Sequence, residues 1–558
     1  MKSLNNLSPE QLLQQSQSFQ QAGKFEEAAL GFEKLRTIYP NFPPILNSLG
    51  TVYLQQGKLK EGCKFLEKSL SIDANQLMVL RNLALALKSQ NQLSESVKYF
   101  EKILKLDPKS IDAFNNIGIN LQALGKHQEA INAFESAVKI NPNTADSHNN
   151  LGISLLTNNQ PSEAALAFQK AISLNPSSPQ LYNNLGLALK KLNKIEESII
   201  CFNKAIDIDK RYADAYSNRG LSYQALQQTQ AALNDYDECT KLDPGHVDNY
   251  WNKSLLKILM GDFEDGWILY EWRWKSFAKK SVRKFNEPLW LGKESIENKK
   301  ILIYPEQGYG DFIQFCRYIP MIEKLNAEVI LEARPALLDL ISTTYPHMTI
   351  IESGKRLPSF DFQCPIMSLP LAFKTQLDNI PSSAPYLKSD PTKNKKWDTK
   401  LGKKTKLRVG LAWSGSIQHP NDHNRNIKLD DLKPILALPF EFHSLQKEYR
   451  VNDLTLIKEF GIQNHAEKLN NFSDTTALIE NLDLVISVDT AVAHLAGALN
   501  KTIWIMLPFN PDYRWMLDKD HSPWYASASL FRQKQTNDWH PVVKSITDKL
   551  NKLLTTTN

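Results

Sequence analysis

The pattern of hydrophobic and polar positions changes once along the chain. Up to about residue 277, apolar residues recur with the spacing of amphipathic helices. From about residue 299, short apolar runs alternate with helical stretches. The pattern therefore predicts an all-helical array followed by an α/β region.

The helical part repeats with a period of 34 residues, shown by three series of residues in phase. Helix-ending prolines stand at Pro40, Pro108, Pro142, Pro176 and Pro244. Small residues stand at Gly50, Ala84, Gly118, Gly152, Gly186 and Gly220, and large ones at Phe32, Leu66, Phe100, Phe134, Phe168, Phe202 and Tyr236. Small residues allow two helices to approach, the large residue fills the space beside them, and proline ends the second helix. The pattern resembles the tetratricopeptide repeat, which implies an α-solenoid of seven copies over about 9–246 and a partial capping unit, within a first domain at 1–277.

A further series consists of asparagines at the sixth position of successive repeats. They are Asn82, Asn116, Asn150, Asn184, Asn218 and Asn252. Asparagine is a mediocre helix former, so its recurrence on the first helix of each pair requires a reason. A carboxamide can bond the backbone of an extended peptide, and the series resembles the asparagine ladder of the eukaryotic protein O-linked N-acetylglucosamine transferases. We therefore expect these residues to hold an acceptor protein or peptide; the alternative is that they bond neighbouring repeats and organise the stack.

The pattern of the second part predicts two halves of alternating strands and helices. The predicted strands are 301–304, 328–332, 349–352, 408–413, 440–445, 484–488 and 502–507, and the predicted helices are 311–324, 335–343, 430–437, 473–480 and 490–499. A basic segment at 278–298 is predicted to be a linker on the surface, and a polar segment at 389–406 separates the halves, placed at 299–395 and 396–558. The aromatic residues Trp267, Tyr270, Trp272 and Trp274 are expected to form an interface with the next domain. We expect two Rossmann-like parallel sheets with a cleft between them.

Chemistry-bearing residues follow the predicted strands, at the sheet edge where α/β proteins bind ligands. They are Gly308, Gly310 and Asp311; Ser414, Gly415 and Arg425; Gln446 and Lys447; and Asp489, Thr490 and His494. The glycines permit close backbone approach, and a carboxylate in a cleft is a candidate general base, although as a helix cap alone it would be unremarkable. A guanidinium can clamp a phosphate, and the free N–H groups at the start of a helix suit a diphosphate.

The stretches QGYGDFIQFCRYIP, GLAWSG, HNRNIKL, SLQKE, SVDTAVAHLAGAL, LPFNPDYRWMLD and SPWY resemble the glycosyltransferases of the heptosyltransferase type, over about 290–550. The resemblance implies a GT-B-like fold and a nucleotide-sugar substrate. It assigns Asp311 as the catalytic base and Asp489, Thr490 and His494 to the nucleotide-sugar site. Two residues depart from the usual pattern: Ala491 stands where glycine is usual and Gln314 where histidine is usual, which weakens a heptose as the donor sugar.

Composition narrows the function classes. The net charge of +6 over 558 residues argues against a dedicated nucleic-acid binder. Five scattered cysteines indicate a reducing compartment, and neither a signal peptide nor a transmembrane run is found, so a cytoplasmic location is expected. We predict no metal and no cofactor: His419 and His423 lie in a polar loop, and Asp518 and Asp520 do not follow a strand. Trp515 and Trp524 either line the cleft or fill the domain interface.

Three functions remain open from the sequence. The first is metal-independent glycosyl transfer from a nucleotide-sugar to a protein held in the repeat groove, that is, O-glycosylation. The second is transfer to a cell-surface glycan, with the repeats docking the enzyme to an assembly complex. The third is a non-enzymatic scaffold that retains a degenerate transferase domain. The presence of Asp311, Asp489, Thr490 and His494 together favours an active site.

Overall fold

A computed structural model describes residues 7–276, 283–382, 384–417 and 421–557. The chain divides into two compact units, Met1–Ser222 and Tyr223–Asn558. The predicted change from helices to α/β structure near residue 277 is present in the order of elements, because the helices end at Trp274 and the first strand starts at Lys300. The units divide earlier than that, because the last repeat helices pack against the α/β structure.

The first unit is a series of antiparallel helix pairs. Its helices are α1 Pro9–Gln21, α2 Phe25–Ile38, α3 Pro43–Gln55, α4 Leu59–Ile72, α5 Leu77–Ser89, α6 Leu93–Leu106, α7 Ile111–Ala123, α8 His127–Ile140, α9 Ala145–Thr157, α10 Pro161–Leu174, α11 Pro179–Lys191, α12 Ile195–Ile208 and α13 Ala213–Ala225, the last crossing the unit boundary. Each pair begins 34 residues after the previous one, as the repeat predicts. The helix-ending prolines lie two residues beyond the second helix of their pairs.

The small-and-large pattern of the repeat has a direct steric cause. A methyl group added to Gly118 would lie 2.5 Å from the ring of Phe134, and one added to Gly152 would lie 2.6 Å from Phe168. Both phenylalanines are fully buried. Glycine therefore allows the ring of the second helix to lie directly against the backbone of the first.

The second unit begins with the last repeat helices. These are α14 Thr229–Leu242, α15 Val247–Met260 and α16 Phe263–Tyr270, followed by a short 3-10 helix at Glu271–Trp274. Trp267 is buried, and its ring packs edge-on against Phe315 and Trp524 of the α/β region, with centroids 6.2 and 6.4 Å apart. The expected interface is thus present for Trp267 and for Tyr270, whose ring packs edge-on against Tyr513, whereas Trp272 stacks on Tyr250 of α15. The packing of Trp267 and Tyr270 places α14–α16 with the α/β structure.

A buried ion pair fixes the same junction. The Arg273 guanidinium donates to both carboxylate oxygens of Glu306, at 2.8 and 2.7 Å, and Nη1 donates to Glu271 at 2.6 Å. Arg273 is fully buried, so the two carboxylates supply the charge compensation that burial requires. Glu306 lies two residues after the first strand, which ends at Tyr304, so the ion pair links the last repeat to the turn that follows this strand.

The first α/β half contains a four-stranded parallel sheet. Its elements are β1 Lys300–Tyr304, α17 Tyr309–Phe315, α18 Ile319–Glu323, β2 Glu328–Ala333, α19 Pro335–Thr344, β3 Thr349–Glu352, β4 Phe362–Pro365 and α20 Leu369–Ala372, and the strand order is β3-β2-β1-β4. The helix predicted at 311–324 is divided into α17, a 3-10 turn and α18. The described part of the predicted linker, from residue 283, is not confined to the surface, because the apolar Trp290 and Ile296 are buried in this half. Residues 277–282 lie outside the described residues.

The second half contains a five-stranded parallel sheet. Its elements are α21 Pro391–Leu401, β5 Arg408–Ala412, α22 Asp422–Arg425, α23 Lys433–Leu436, β6 Glu441–Ser444, α24 Asp453–Glu459, α25 Phe472–Glu480, β7 Leu484–Val488, α26 Ala491–Ala498, β8 Ile503–Leu507, β9 Ala528–Arg532 and α27 His540–Thr557, with strand order β6-β5-β7-β8-β9. The polar segment at 389–406 is not simply a separator, because most of it forms α21, whose Trp397 is buried. Two parallel sheets are therefore present, as the alternation of strands and helices predicts.

Candidate functional site

A cleft of about 490 Å³ opens between the two halves of the α/β region. The eleven residues that the sequence places after strands all line it: Gly308, Gly310, Asp311, Ser414, Gly415, Arg425, Gln446, Lys447, Asp489, Thr490 and His494. The carboxyl ends of β1, β5, β6 and β7 thus meet at one place, as parallel sheets require.

Asp311 lies on the wall contributed by the first half, at the third position of α17. Its Oδ2 accepts a hydrogen bond from the Gly308 amide at 2.6 Å, and its Oδ1 accepts one from the Arg514 guanidinium. The side chain is only 15 % exposed. The predicted base therefore borders the cleft, but both of its oxygens already accept a hydrogen bond, so it is also a helix cap and an ion-pair partner.

Helices α17 and α26 approach closely across the cleft floor. A methyl group added to Gly310 would lie 2.8 Å from Cδ2 of His494, so this contact requires glycine. His494 is buried; its Nδ1 lies 2.9 Å from the Tyr525 hydroxyl, and its ring stacks on Trp515. Burial, with Arg514 next in effect, holds the pKa of His494 well below its usual value. The imidazole is therefore neutral at pH 7.

Helix α26 points its N-terminus at the cleft. Thr490 is its N-cap, but the hydroxyl does not cap the helix and instead lies 3.2 Å from the Ser487 hydroxyl. The amides of Ala491 and Val492 have no partner within the helix, and both residues line the cleft, whereas the Ala493 amide donates to the Thr490 backbone oxygen at 3.0 Å. A helix start of this kind favours an anion through its amides and its dipole.

Asp489 lies immediately before that helix start. Burial and, next in effect, the nearby Asp512 carboxylate raise the pKa of its carboxyl to about 6, against the opposing charges of Arg514 and Arg425. Its Oδ1 is 3.8 Å from His494 Nε2, which carries no charge at neutral pH. Asp489 is thus a carboxyl group whose charge changes close to physiological pH.

Arg425 lies beside the same helix start. Its Nη1 donates to the backbone oxygen of Asp489 at 3.1 Å, which places a positive charge next to α26. A methyl group added to Gly415 would lie 2.4 Å from Nη2 of Arg425, so the turn after β5 lies flat against the guanidinium. Arg425 was predicted in a polar loop and is found at the end of the single-turn helix α22.

Gln446 and Lys447 follow β6. The Gln446 carboxamide is buried; its Nε2 donates to the Ser414 hydroxyl at 2.8 Å and its Oε1 accepts from the Ser414 amide at 3.4 Å. Gln446 therefore positions the Ser414 turn. Lys447 is exposed, and its Nζ donates to the Ala466 oxygen at 3.0 Å.

The sequence reasoning missed Arg514, which is the most connected charge in the cleft. Its Nε donates to Gln314 at 2.7 Å, its Nη1 to Asp512 at 2.6 Å and its Nη2 to Asp311. The signal that could have found it is its place in the loop after β8, because strand ends meet at this edge. It also lies within LPFNPDYRWMLD, one of the stretches that carry the resemblance.

The two tryptophans near the cleft and the aspartates considered as metal ligands do not line the cleft. Trp515 and Trp524 are buried and are absent from the cleft lining, so they fill the interior. Asp520 is fully exposed beside His521, and His419 lies outside the described residues. Within the described ranges, no group of three or more histidine, cysteine, aspartate or glutamate side chains could hold a metal ion.

The repeated asparagines stand on the first helix of their pairs, as predicted. Asn184 and Asn218 each donate a hydrogen bond of 2.9 Å to an asparagine of the preceding repeat, Asn149 and Asn183 respectively. Asn116 donates to the Asp112 backbone oxygen within its own helix at 2.9 Å and accepts from Lys88 Nζ of the preceding repeat at 3.2 Å. At least three members of the series therefore bond neighbouring repeats, and peptide holding stays a prediction.

Comparison with known proteins identifies the repeats. Models described as tetratricopeptide repeat match residues 12–41, 43–76, 81–110, 115–179, 167–200 and 213–246, and one described as TPR repeat matches 187–227. Tetratricopeptide repeats therefore occupy the N-terminal half, and they indicate protein–protein interaction. Among the described helices, none combines the length and the apolar composition that a membrane span needs.

Protein FlbA of Caulobacter vibrioides is 25% identical over 325 residues, which cover 53% of this chain and 54% of FlbA; the match thus spans about half of that relative. Similar solved structures include YrrB, described as a TPR protein with an unusual peptide-binding site (25% identity, 34% of this chain and 98% of YrrB, TM-score 0.30). Another is a tetratricopeptide repeat protein from Parabacteroides merdae (19% identity, 44% and 98%, TM-score 0.37).

Proposed function

We propose that the chain is a glycosyltransferase that moves a sugar from a nucleotide-sugar to an acceptor. The observation that carries the proposal is the cleft itself. One wall presents the start of α26 with Arg425 beside it, and the other presents Asp311. Sugar transfer needs these two functions together, because a leaving diphosphate must be stabilised while an acceptor hydroxyl loses its proton.

The diphosphate would lie against the first turn of α26. The amides of Ala491 and Val492 would donate to phosphate oxygens, and Arg425 would supply a charge-assisted bond. Lys447 lines the same space and is exposed, so it adds a positive charge. The start of α26 and Arg425 are held by the fold before the ligand arrives, which is the condition for effective electrostatic stabilisation.

Asp311 would accept the proton of the acceptor hydroxyl. The Gly308 amide and the helix start fix the direction of its carboxylate, because Oδ2 is held at 2.6 Å. The remaining oxygen, Oδ1, is the one that would face a hydroxyl in the cleft, and it now accepts from Arg514.

We propose a protein as the acceptor, held by the repeats. The support is the presence of tetratricopeptide repeats and the series of asparagines along their first helices. A carboxamide has two N–H donors and one acceptor oxygen, so Asn184 and Asn218 each use one donor on the preceding repeat and keep capacity for a peptide backbone.

The donor site can be tested by calorimetric titration of the full-length protein with UDP-, GDP- and CMP-sugars. We expect one of them to bind, and Arg425→Ala to weaken it by roughly tenfold through loss of a charge-assisted bond. Lys428→Ala is the matched control, since it removes an exposed charge three residues away that does not line the cleft. Absence of binding by every nucleotide-sugar, or equal losses in both variants, would overturn the proposal.

The acceptor can be tested once a donor is known. Asn184→Ala and Asn218→Ala should slow transfer to a protein acceptor and leave hydrolysis of the nucleotide-sugar unchanged, because neither residue belongs to the cleft. Unchanged transfer to the physiological acceptor, with the stack intact by circular dichroism, would contradict a protein held by the asparagines.

A further inference from the structure

Arg514 is a buried cation in the cleft that the proposed roles do not use. Its side chain is 8 % exposed and lies between two carboxylates, Asp311 and Asp512. A guanidinium has five N–H groups, and within the described part of the chain three of them bond Gln314, Asp512 and Asp311. Two donors remain on a residue that lines the cleft.

Two neighbours, Gln314 and Tyr513, contact the Arg514 guanidinium. Gln314 is fully buried and accepts from Nε through its carboxamide oxygen, whose acceptor capacity does not change with pH. The Tyr513 ring lies 4.4 Å from the guanidinium carbon. Gln314 is also the residue at which this chain departs from the histidine expected by resemblance. The anchor on Nε leaves the two terminal nitrogens able to exchange partners.

The two guanidinium groups and the start of α26 indicate what the exchange partner would be. Asp311, Asp489 and Asp512 surround the cleft, and Arg425 and Arg514 are the guanidinium groups that line it. An anion at the start of α26 would compete with Asp311 for Arg514, because a phosphate accepts two parallel N–H bonds from a guanidinium. Asp512 would keep its own bond to Nη1 during the exchange.

We propose that Arg514 is a diphosphate-binding residue that occupies Asp311 while the cleft is empty and releases it when the donor binds. The inference rests on the nucleotide-sugar site proposed above. When Arg514 turns to the phosphates, Oδ1 of Asp311 loses its donor and the nearby positive charge, which makes the carboxylate a better proton acceptor.

The chemical step then balances without any further reactant. The acceptor oxygen bonds to the anomeric carbon of the donor sugar while its proton passes to Asp311. The bond between that carbon and the diphosphate oxygen breaks, and the electron pair stays on the diphosphate, next to Arg514 and Arg425. The base is thus available only after the donor has bound, so donor binding precedes productive acceptor binding.

A double-mutant cycle on the full-length protein tests the inference, with inorganic pyrophosphate as the probe. Asp311→Asn should bind pyrophosphate roughly tenfold more tightly than the wild type, because Arg514 is no longer held by a carboxylate. Arg514→Met should bind it roughly tenfold more weakly. In the double variant, Asp311→Asn should bring no tightening. Glu448→Gln, which removes an exposed cleft carboxylate not bonded to Arg514, is the matched control and should change affinity less than about twofold.

Independent effects of the two substitutions would overturn the inference, because they would show that Asp311 acts on the anion by charge alone. Equal tightening of pyrophosphate binding by Asp311→Asn and by Glu448→Gln would also overturn the inference. Arg514→Lys keeps the positive charge and replaces Arg514→Met in the cycle if the methionine variant does not fold. It should retain part of the coupling between positions 311 and 514 in pyrophosphate affinity. If the two positions are coupled in pyrophosphate binding but no nucleotide-sugar binds, the role of Arg514 is supported and the proposed transferase function is overturned. If pyrophosphate binds neither the wild type nor Asp311→Asn, both proposals are overturned.

Discussion

Asp489 is the residue of the cleft whose charge depends most directly on pH. Its pKa is raised from about 3.8 to about 6 by burial and by Asp512. A carboxyl with a raised folded pKa binds more protons in the native state than in the unfolded state between those two values. The contribution of Asp489 to the stability of the fold therefore falls as pH rises from about 4 to about 6.

This pH dependence gives a first prediction. Asp489→Asn removes the ionisable carboxyl and with it this loss of stability. The melting temperature of the variant minus that of the wild type should therefore increase from pH 4 to pH 7. Differential scanning calorimetry of the α/β transition at a series of pH values measures this difference. A difference that stays constant across the range would contradict the assignment.

Gly415 gives a second prediction at the scale of one methyl group. Gly415→Ala would place Cβ 2.4 Å from Nη2 of Arg425 and displace the guanidinium from the start of α26. We expect roughly tenfold weaker binding of the nucleotide-sugar with little change in stability, because the methyl displaces one side chain and not the sheet. Calorimetric titration checks this. The control is the same substitution in an Arg425→Ala background, where a further loss of affinity would show that the methyl acts by another route.

Most of the eleven predicted cleft residues could be located from the sequence because they lie shortly after an apolar strand, whereas Arg425 follows β5 through a polar loop. Arg514 could not, since the loop from β8 to Arg514 has no periodicity, and its partner Gln314 lies 200 positions away. The hydrogen bonds of Asp311 are hidden for the same reason. Residue type and local position identify a carboxylate in a turn, whereas its partner depends on how the two halves close.

At the scale of elements, the repeat helices were predictable almost to the residue, because each boundary is marked by a proline or by the 34-residue period. Seven α/β elements lie outside the predicted ranges, namely β4, α20, α21, α22, α24, β9 and α27, and three of them show a physical reason. Strand β9 has an alternating, half-exposed pattern, β4 is four residues long and ends in proline, and α21 contains one buried residue, Trp397. Short or weakly apolar segments take their structure from neighbours and not from their own pattern.

The 3-10 helix that ends the repeats gives a third prediction. Arg273→Met leaves Glu306 buried without its bidentate partner and should destabilise the second unit by about 3–5 kcal/mol. Burial already raises the pKa of Glu306. Without the guanidinium the carboxyl can escape the penalty only by protonation, so the deficit should be larger at pH 8 than at pH 5.

Thermal unfolding of the wild type and of Arg273→Met at the two pH values measures this effect. The double variant Arg273→Met, Glu306→Gln is the control, because it removes the uncompensated charge and should lose the pH dependence. A deficit that is equal at both pH values would show that Arg273 acts through packing and not through charge.

At the scale of the whole molecule, the boundary between the compact units lies between Ser222 and Tyr223, upstream of the predicted end of the repeats at residue 277. The repeat pattern continues past the boundary without a break, so the sequence alone shows no division there. The position of the boundary follows from aromatic packing within the second unit, where the Trp267 ring contacts those of Phe315 and Trp524.

Two fragments give a fourth prediction. A fragment 223–558 should be soluble and should bind the nucleotide-sugar with the affinity of the full chain, since it keeps α14–α16 and the cleft. A fragment 283–558 should aggregate, because removal of Trp267 exposes the ring of Trp524 to water. Size-exclusion chromatography and calorimetry distinguish the two. A monomeric, ligand-binding 283–558 fragment would show that the aromatic packing is dispensable.

The aromatic packing at the end of the repeats also restricts how a lineage can change the length of this array. Duplication of one 34-residue unit within the first unit copies a self-contained helix pair, and the rings of Trp267 and Tyr270 keep their partners. An extra unit inserted after α15 would separate those rings from the sheet domain that covers them. Gain and loss of repeats should therefore be confined to the stretch before residue 222, so that the number of repeats can diverge between relatives while the α/β end is inherited as one piece.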